Sequence, residues 1–73
     1  MTVVVVINRA NGFNKVKCAS TLCSVAQLTL LEAQRMVNAL DGGATTEVVL
    51  GSLGDAERLI SFLRLDGATA RRI

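Results

Sequence analysis

The chain has 73 residues, a net charge of +2 and a hydrophobic content of 51%, with Phe13 and Phe62 as its aromatic residues and no His, Pro, Trp or Tyr. This length holds a single domain, 1–73, with a thin stability margin, and a basic excess this small does not single out nucleic acid. The missing His removes the commonest general base and the commonest zinc ligand, so the core is expected to be Val, Leu, Ile and Ala around two rings, with no metal and no cofactor.

The first element is legible at once. Residues 2–7, TVVVVI, are β-branched throughout and predict a strand. NRANGFN, residues 8–14, carries Gly12 and three Asn and reads as a loop. From Lys15 the apolar residues Val16, Ala19, Leu22 and Cys23 return every three or four positions, which predicts a short helix with Asn14 near its N-cap and a break over Ser24–Gln27. Thr29 followed by Glu32 is a capping box. Leu30, Ala33, Val37 and Leu40 then share one face, and Gly42–Gly43 supply the left-handed turn that ends a helix over 29–41. Thr45–Leu50 predicts a second strand. Ser52 and Asp55 repeat the capping pattern, Ala56, Leu59, Ile60 and Leu63 form the apolar stripe of a third helix, and Gly67 closes it. Ala68–Ile73 is the last strand.

The expected architecture is therefore α+β, a two-layer sandwich of order β-α-α-β-α-β, with a three-stranded antiparallel sheet and three helices on one face. The first strand does not alternate as a half-covered sheet should. Val3, Val5 and Ile7 point one way and Val4 and Val6 the other, and Val49 opposes Val48 and Leu50 in the same manner. An apolar strip of Val4, Val6 and Val49 on the open face is the expected outcome, and such strips mark contact surfaces, here a candidate for homodimer formation. Cys18 and Cys23, five apart on one helix, stand about 140° apart around its axis. That is poor geometry for a bridge, so both are read as reduced and mostly buried. The apolar run of the first strand is too short to span a bilayer and no signal segment precedes it, which predicts no membrane and a cytoplasmic location.

Three stretches resemble the C-terminal domain of the bacterial ribosomal stalk protein, the L seven/L twelve family, whose fold is shared with the protease adaptor ClpS. Asn14-Lys15-Val16 looks like that domain's Asn-Lys-Val start of its first helix. Leu28, Leu30, Glu32, Ala33 and Val37 match its Leu-x-Leu-x-Glu-Ala-x-x-x-Val second helix. Asp55-Ala56-Glu57, then Leu59, Leu63 and Gly67-Ala68, match its Asp-Ala-Glu-x-Leu-x-x-x-Leu-x-x-x-Gly-Ala third helix. The resemblance implies a surface on the first two helices that docks translational GTPases through basic residues. At the positions of those charges this chain holds Ser20, Cys23 and Gln34, while Lys15 and Val16 survive and Arg35 lies one residue beyond the missing Lys. Ser24, Gln27 and Thr29 replace the family's inter-helix glycines, and its N-terminal dimerisation domain and hinge have no counterpart in these residues. Asn8 stands where ClpS also has an Asn, without the His and acidic pair that complete the ClpS pocket.

Catalysis finds no support in this pattern. Ser20, Ser24 and Cys23 have no His to activate them, Glu32 and Asp55 are explained as caps, and NRANG lacks the pattern of a phosphate loop. Arg9, Lys15, Lys17, Arg71 and Arg72 are scattered and without Tyr or Trp to stack bases, which argues against nucleic acid. The reading that remains is a non-enzymatic protein-interaction module, similar to the stalk domain but lacking most of its basic patch. Lys15, Val16, Ser20, Cys23, Gln34 and Arg35 are its candidate partner-binding residues. The alternatives are a small regulator, of viral type, that targets a host protein, and a translation-factor or nucleic-acid binder.

Overall fold

The structure is a computed structural model and describes residues 2–73. Its elements run β1 (Val3–Arg9), α1 (Lys15–Val25), α2 (Leu30–Asp41), β2 (Thr46–Leu50), α3 (Leu53–Leu65) and β3 (Ala68–Arg72). The fold is α+β, with three helices and a three-stranded antiparallel sheet in the order β2-β1-β3. The expected order of elements is the observed one. β1 runs two residues further than TVVVVI suggests, because Asn8 and Arg9 pair with Thr69 and Ala68 of β3.

The register sorts the sheet into two faces. Val3, Val5 and Ile7 line up with Leu50, Val48 and Thr46 on one side and, for Val5 and Ile7, with Arg72 and Ala70 on the other. This face meets Ala33, Val37 and Leu40 of α2 and Ala56, Leu59, Ile60 and Leu63 of α3 in one buried cluster, with Cys18, Leu22 and Val25 of α1. α2 and α3 lie on the sheet, and α1 packs across both of them. Burying this many aliphatic side chains is the main stabilising term, at about 1.5–3 kcal/mol for each large one.

Local signals set the helix ends. Asn14 accepts a hydrogen bond from the Lys17 amide at 3.0 Å and caps α1. The Thr29–Glu32 box is complete, with the Glu32 amide donating to Thr29 Oγ1 at 3.2 Å and the Thr29 amide donating to Glu32 Oε1 at 3.2 Å. At α3 half of the pattern forms. The Asp55 amide donates to Ser52 Oγ at 3.2 Å, but the shorter Asp side chain turns to Arg58, 3.8 Å away, instead of reaching back to the cap.

Four expectations need correction. α1 extends through Ser24 and Val25, where a break was expected, and the chain turns at Gln27, which holds φ 57°. The buried stripe of α1 is Cys18, Leu22 and Val25, and Val16 is 79% exposed. Likewise Leu30 of α2 is 63% exposed, because the buried stripe of this helix is Ala33, Val37 and Leu40. Phe62 is 46% exposed and adds little to the core, whereas Phe13 packs against it.

Candidate functional site

Two surfaces carry the residues that the sequence singles out. The first lies where α1 and α2 run side by side. A groove of about 380 Å³ opens there, lined by Lys15, Val16 and Ala19 of α1 and by Leu30, Gln34, Val37 and Asn38 of α2. Helical spacing builds both walls, since residues three and four apart share a face. Leu30, Gln34 and Asn38 recur at four-residue steps along α2. Lys15 and Val16 meet Ala19 at four and three along α1.

Of the six expected partner-binding residues, Lys15, Val16 and Gln34 come together in the groove. Ser20 and Arg35 are exposed outside its lining, and Cys23 is half-buried against the core. Arg35 follows Gln34 by one residue and so turns about 100° away from it. The sequence reading missed Ala19, Leu30, Val37 and Asn38. The first three were assigned to the buried stripes, and for Leu30 the four-residue repeat with Gln34 and Asn38 was the available signal.

The electrostatics of the groove are asymmetric. Lys15 and Lys17 stand in the first turn of α1, which carries no acid. This arrangement opposes the helix dipole, whose N-terminus favours anions. At the groove's Lys15 end, Asp41 is the nearest acid. Its carboxylate lies 4.0 Å from Lys15 Nζ and 3.5 Å from Arg9 Nη1, and Arg9 also donates to the Asp41 carbonyl at 2.6 Å, satisfying an unpaired carbonyl at the end of α2. These groups are half-exposed, so each ion pair contributes 1 kcal/mol at most, roughly. On α2, the hydrogen bonds from Thr29 hold the Glu32 carboxyl below the usual carboxylate range, with a smaller pull from Arg35.

The second surface is the open face of the sheet. Its rows follow from the register. Val4 is flanked by Val49 on β2 and by Ile73, whose amide donates to the Val4 carbonyl at 3.0 Å. Val6 is flanked by Glu47 and Arg71. Asn8 receives the Thr45 hydroxyl on Oδ1 at 2.6 Å and pairs with Thr69. The expected strip of Val4, Val6 and Val49 is thus only partly open. Val49 is 61% exposed and Ile73 82%, Val4 is half-buried, and Val6 is buried at 7% exposure. A central strand has neighbours on both sides, and beside Val6 they are Glu47 and Arg71, of which the Arg type covers apolar surface with its stem. Arg71 takes this role, while Arg72 points to the helical side, with its Nε 3.4 Å from Glu57 Oε1 of α3.

The thiols and carboxylates outside these surfaces form no reactive cluster. Burial, with the Asp66 carboxylate as a lesser cause, pushes the Cys18 thiol up from 9.0 to about 11, which keeps it protonated and a poor nucleophile at neutral pH. Asp66 is itself buried and accepts the Thr21 hydroxyl at 2.6 Å. Among the described residues no group of three or more Cys, Asp or Glu is placed to hold a metal ion, and no helix is long and apolar enough to cross a membrane. The chain matches no protein-family model, no curated protein and no solved structure.

Proposed function

We propose that this chain is a non-catalytic protein-interaction module that docks a partner protein along the α1–α2 groove. The observation that carries the reading is the pair Val16 and Leu30. They stand 79% and 63% exposed on opposite walls of one groove, on a domain whose core is complete without them. Apolar anchors of this kind, with polar neighbours fixing orientation, are how small interfaces concentrate their binding energy. Lys15 at one end and the amides of Gln34 and Asn38 along one wall supply the polar neighbours. Lys15, together with Lys17 in the same acid-free turn, suits a partner segment that is apolar with acidic flanks.

The resemblance of the helix motifs to those of the stalk domain points to the same pair of helices and to a different partner, because Ser20, Cys23 and Gln34 stand where that domain carries its cations. The test is affinity purification with the intact chain, followed by titration of the isolated partner. Val16→Glu and Leu30→Glu should each weaken binding at least tenfold, while Leu65→Glu, at an 81% exposed position on α3, should leave it unchanged. Binding that survives both groove substitutions would overturn the assignment. Ser20→Lys with Gln34→Lys, titrated against purified elongation-factor GTPases, asks separately whether a lost translational contact can be regained.

A further inference from the structure

The open sheet face is patterned to match a second copy of itself, and we infer that the protein forms a twofold dimer through it, with the axis lying along β1. Three rows cross the face: Val49–Val4–Ile73, then Glu47–Val6–Arg71, then Thr45–Asn8–Thr69. When two sheets pack face to face, the twofold axis lies in the plane between them. An axis along β1 keeps every row at its own height and exchanges the edges. Glu47 then faces Arg71 of the second copy, Arg71 faces its Glu47, Val49 faces its Ile73, and Val4 and Val6 face their own equivalents. An axis across the strands sets Glu47 against Glu47 and Arg71 against Arg71, and places the apolar row on the Asn/Thr row. The charges therefore select one of the two arrangements.

Two features of the single chain agree with this. Glu47 and Arg71 sit on opposite edge strands with Val6 between them, and among the described residues neither forms an ion pair within the chain. Val49 and Ile73 leave the largest apolar exposure on this face, and both lie in the row that the twofold superposes on itself. Sheets packed this way lie about 10 Å apart with strands about 30° off parallel. Three strands about 4.8 Å apart and five residues long give a footprint of roughly 14 Å by 17 Å. At about 240 Å² this is well under the ~800 Å² per partner of a standard interface, so the dimer should be weak and exchange with monomer in the upper micromolar range.

Sedimentation equilibrium of the purified chain from about 1 µM to 1 mM, a range that brackets such a constant, provides the test. A monomer–dimer equilibrium is expected. Glu47→Arg and Arg71→Glu, at exposed positions, should each weaken it at least tenfold while keeping the circular dichroism of the parent. Mixing the two variants should restore dimers, because each copy then supplies the charge that the other lacks. A strict monomer at the top of the range, a dimer indifferent to Glu47→Arg, or a mixture that fails to recover would each overturn the proposal. Should either charge variant lose its fold, Val49→Lys and Ile73→Lys repeat the test at the apolar row, where undiminished association has the same overturning force.

Discussion

Gly67 presses its main chain onto that of Gly12. A Cβ at position 67 would overlap the Gly12 carbonyl, and Gly67 also holds φ +83°. The contact ties the end of α3 to the β1–α1 loop, where the Ala10 amide donates to the Gly67 carbonyl at 3.0 Å and the Asn14 amide to the Asp66 carbonyl at 2.9 Å. Gly67→Ala therefore meets both a backbone penalty and a clash with main chain that cannot rotate away. A loss of about 3 kcal/mol or more is expected, read as a fall in the urea midpoint. Gly12→Ala faces the strained φ of +79° with open space around its Cβ and should cost only about 1 kcal/mol.

Gln27 holds a left-handed φ of 57° at the turn after α1, where the Leu28 amide donates to the Leu22 carbonyl at 3.3 Å. This is the helix-ending turn that Gly occupies most readily. Gln27→Gly should stabilise the domain by about 1 kcal/mol, which in a chain of this size raises Tm by roughly 4–8 °C. Differential scanning calorimetry would show it, and an unchanged or lower Tm would mean that Gln27 has a compensating contact.

Thr46 Oγ1 is buried on the helical side of β2 and makes no hydrogen bond among the described residues. An unpartnered buried hydroxyl carries a desolvation penalty with nothing to offset it. Thr46→Val, which keeps the shape and removes the polar atom, should be stabilising by about 1 kcal/mol in chemical denaturation, and a destabilised variant would contradict this account.

Cys18 gives the domain a pH dependence on the alkaline side. Its thiol is held at about 11 in the folded chain against 9.0 when free. Between these values the unfolded chain has released the proton and the folded chain still holds it. Stability from this source is complete below pH 9 and falls as pH rises toward 11. Urea midpoints should drop over that window and do so less in Cys18→Ala, measured against its own neutral-pH value. In the native state at pH 8 a maleimide should label Cys23 well ahead of Cys18.

What could be read from residues alone divides along physical lines. The caps at Asn14, Thr29 and Ser52 are local, each a side chain acting on an amide three positions away, and each forms. The β-branched run of β1 and the stripes of Ala33, Val37 and Leu40 and of Ala56, Leu59, Ile60 and Leu63 are strong periodic signals, and they bury as expected. α1 was harder, because it is the least amphipathic of the three helices and its true stripe is Cys18, Leu22 and Val25. Choosing Val16 over Cys18 turned the inferred face toward solvent, and only the packing of α1 across α2 and α3 decides between them. A similar ambiguity conceals half of the groove, since the spacing of Leu30 with Ala33, Val37 and Leu40 reads as core while Leu30 lines the wall opposite Val16. The enclosure of Val6 by Glu47 and Arg71 depends on strand order, which no local pattern encodes.

Strand order also has a consequence for how the polypeptide matures. β1 is the central strand, yet the ribosome makes it first, and its second neighbour β3 is made last. Until residues 68–72 emerge, VVVVI has at least one bare edge, the kind of segment that invites amyloid-like pairing between nascent chains. Productive sheet closure is thus deferred to the end of this domain's synthesis, when β3 takes its place beside the central strand.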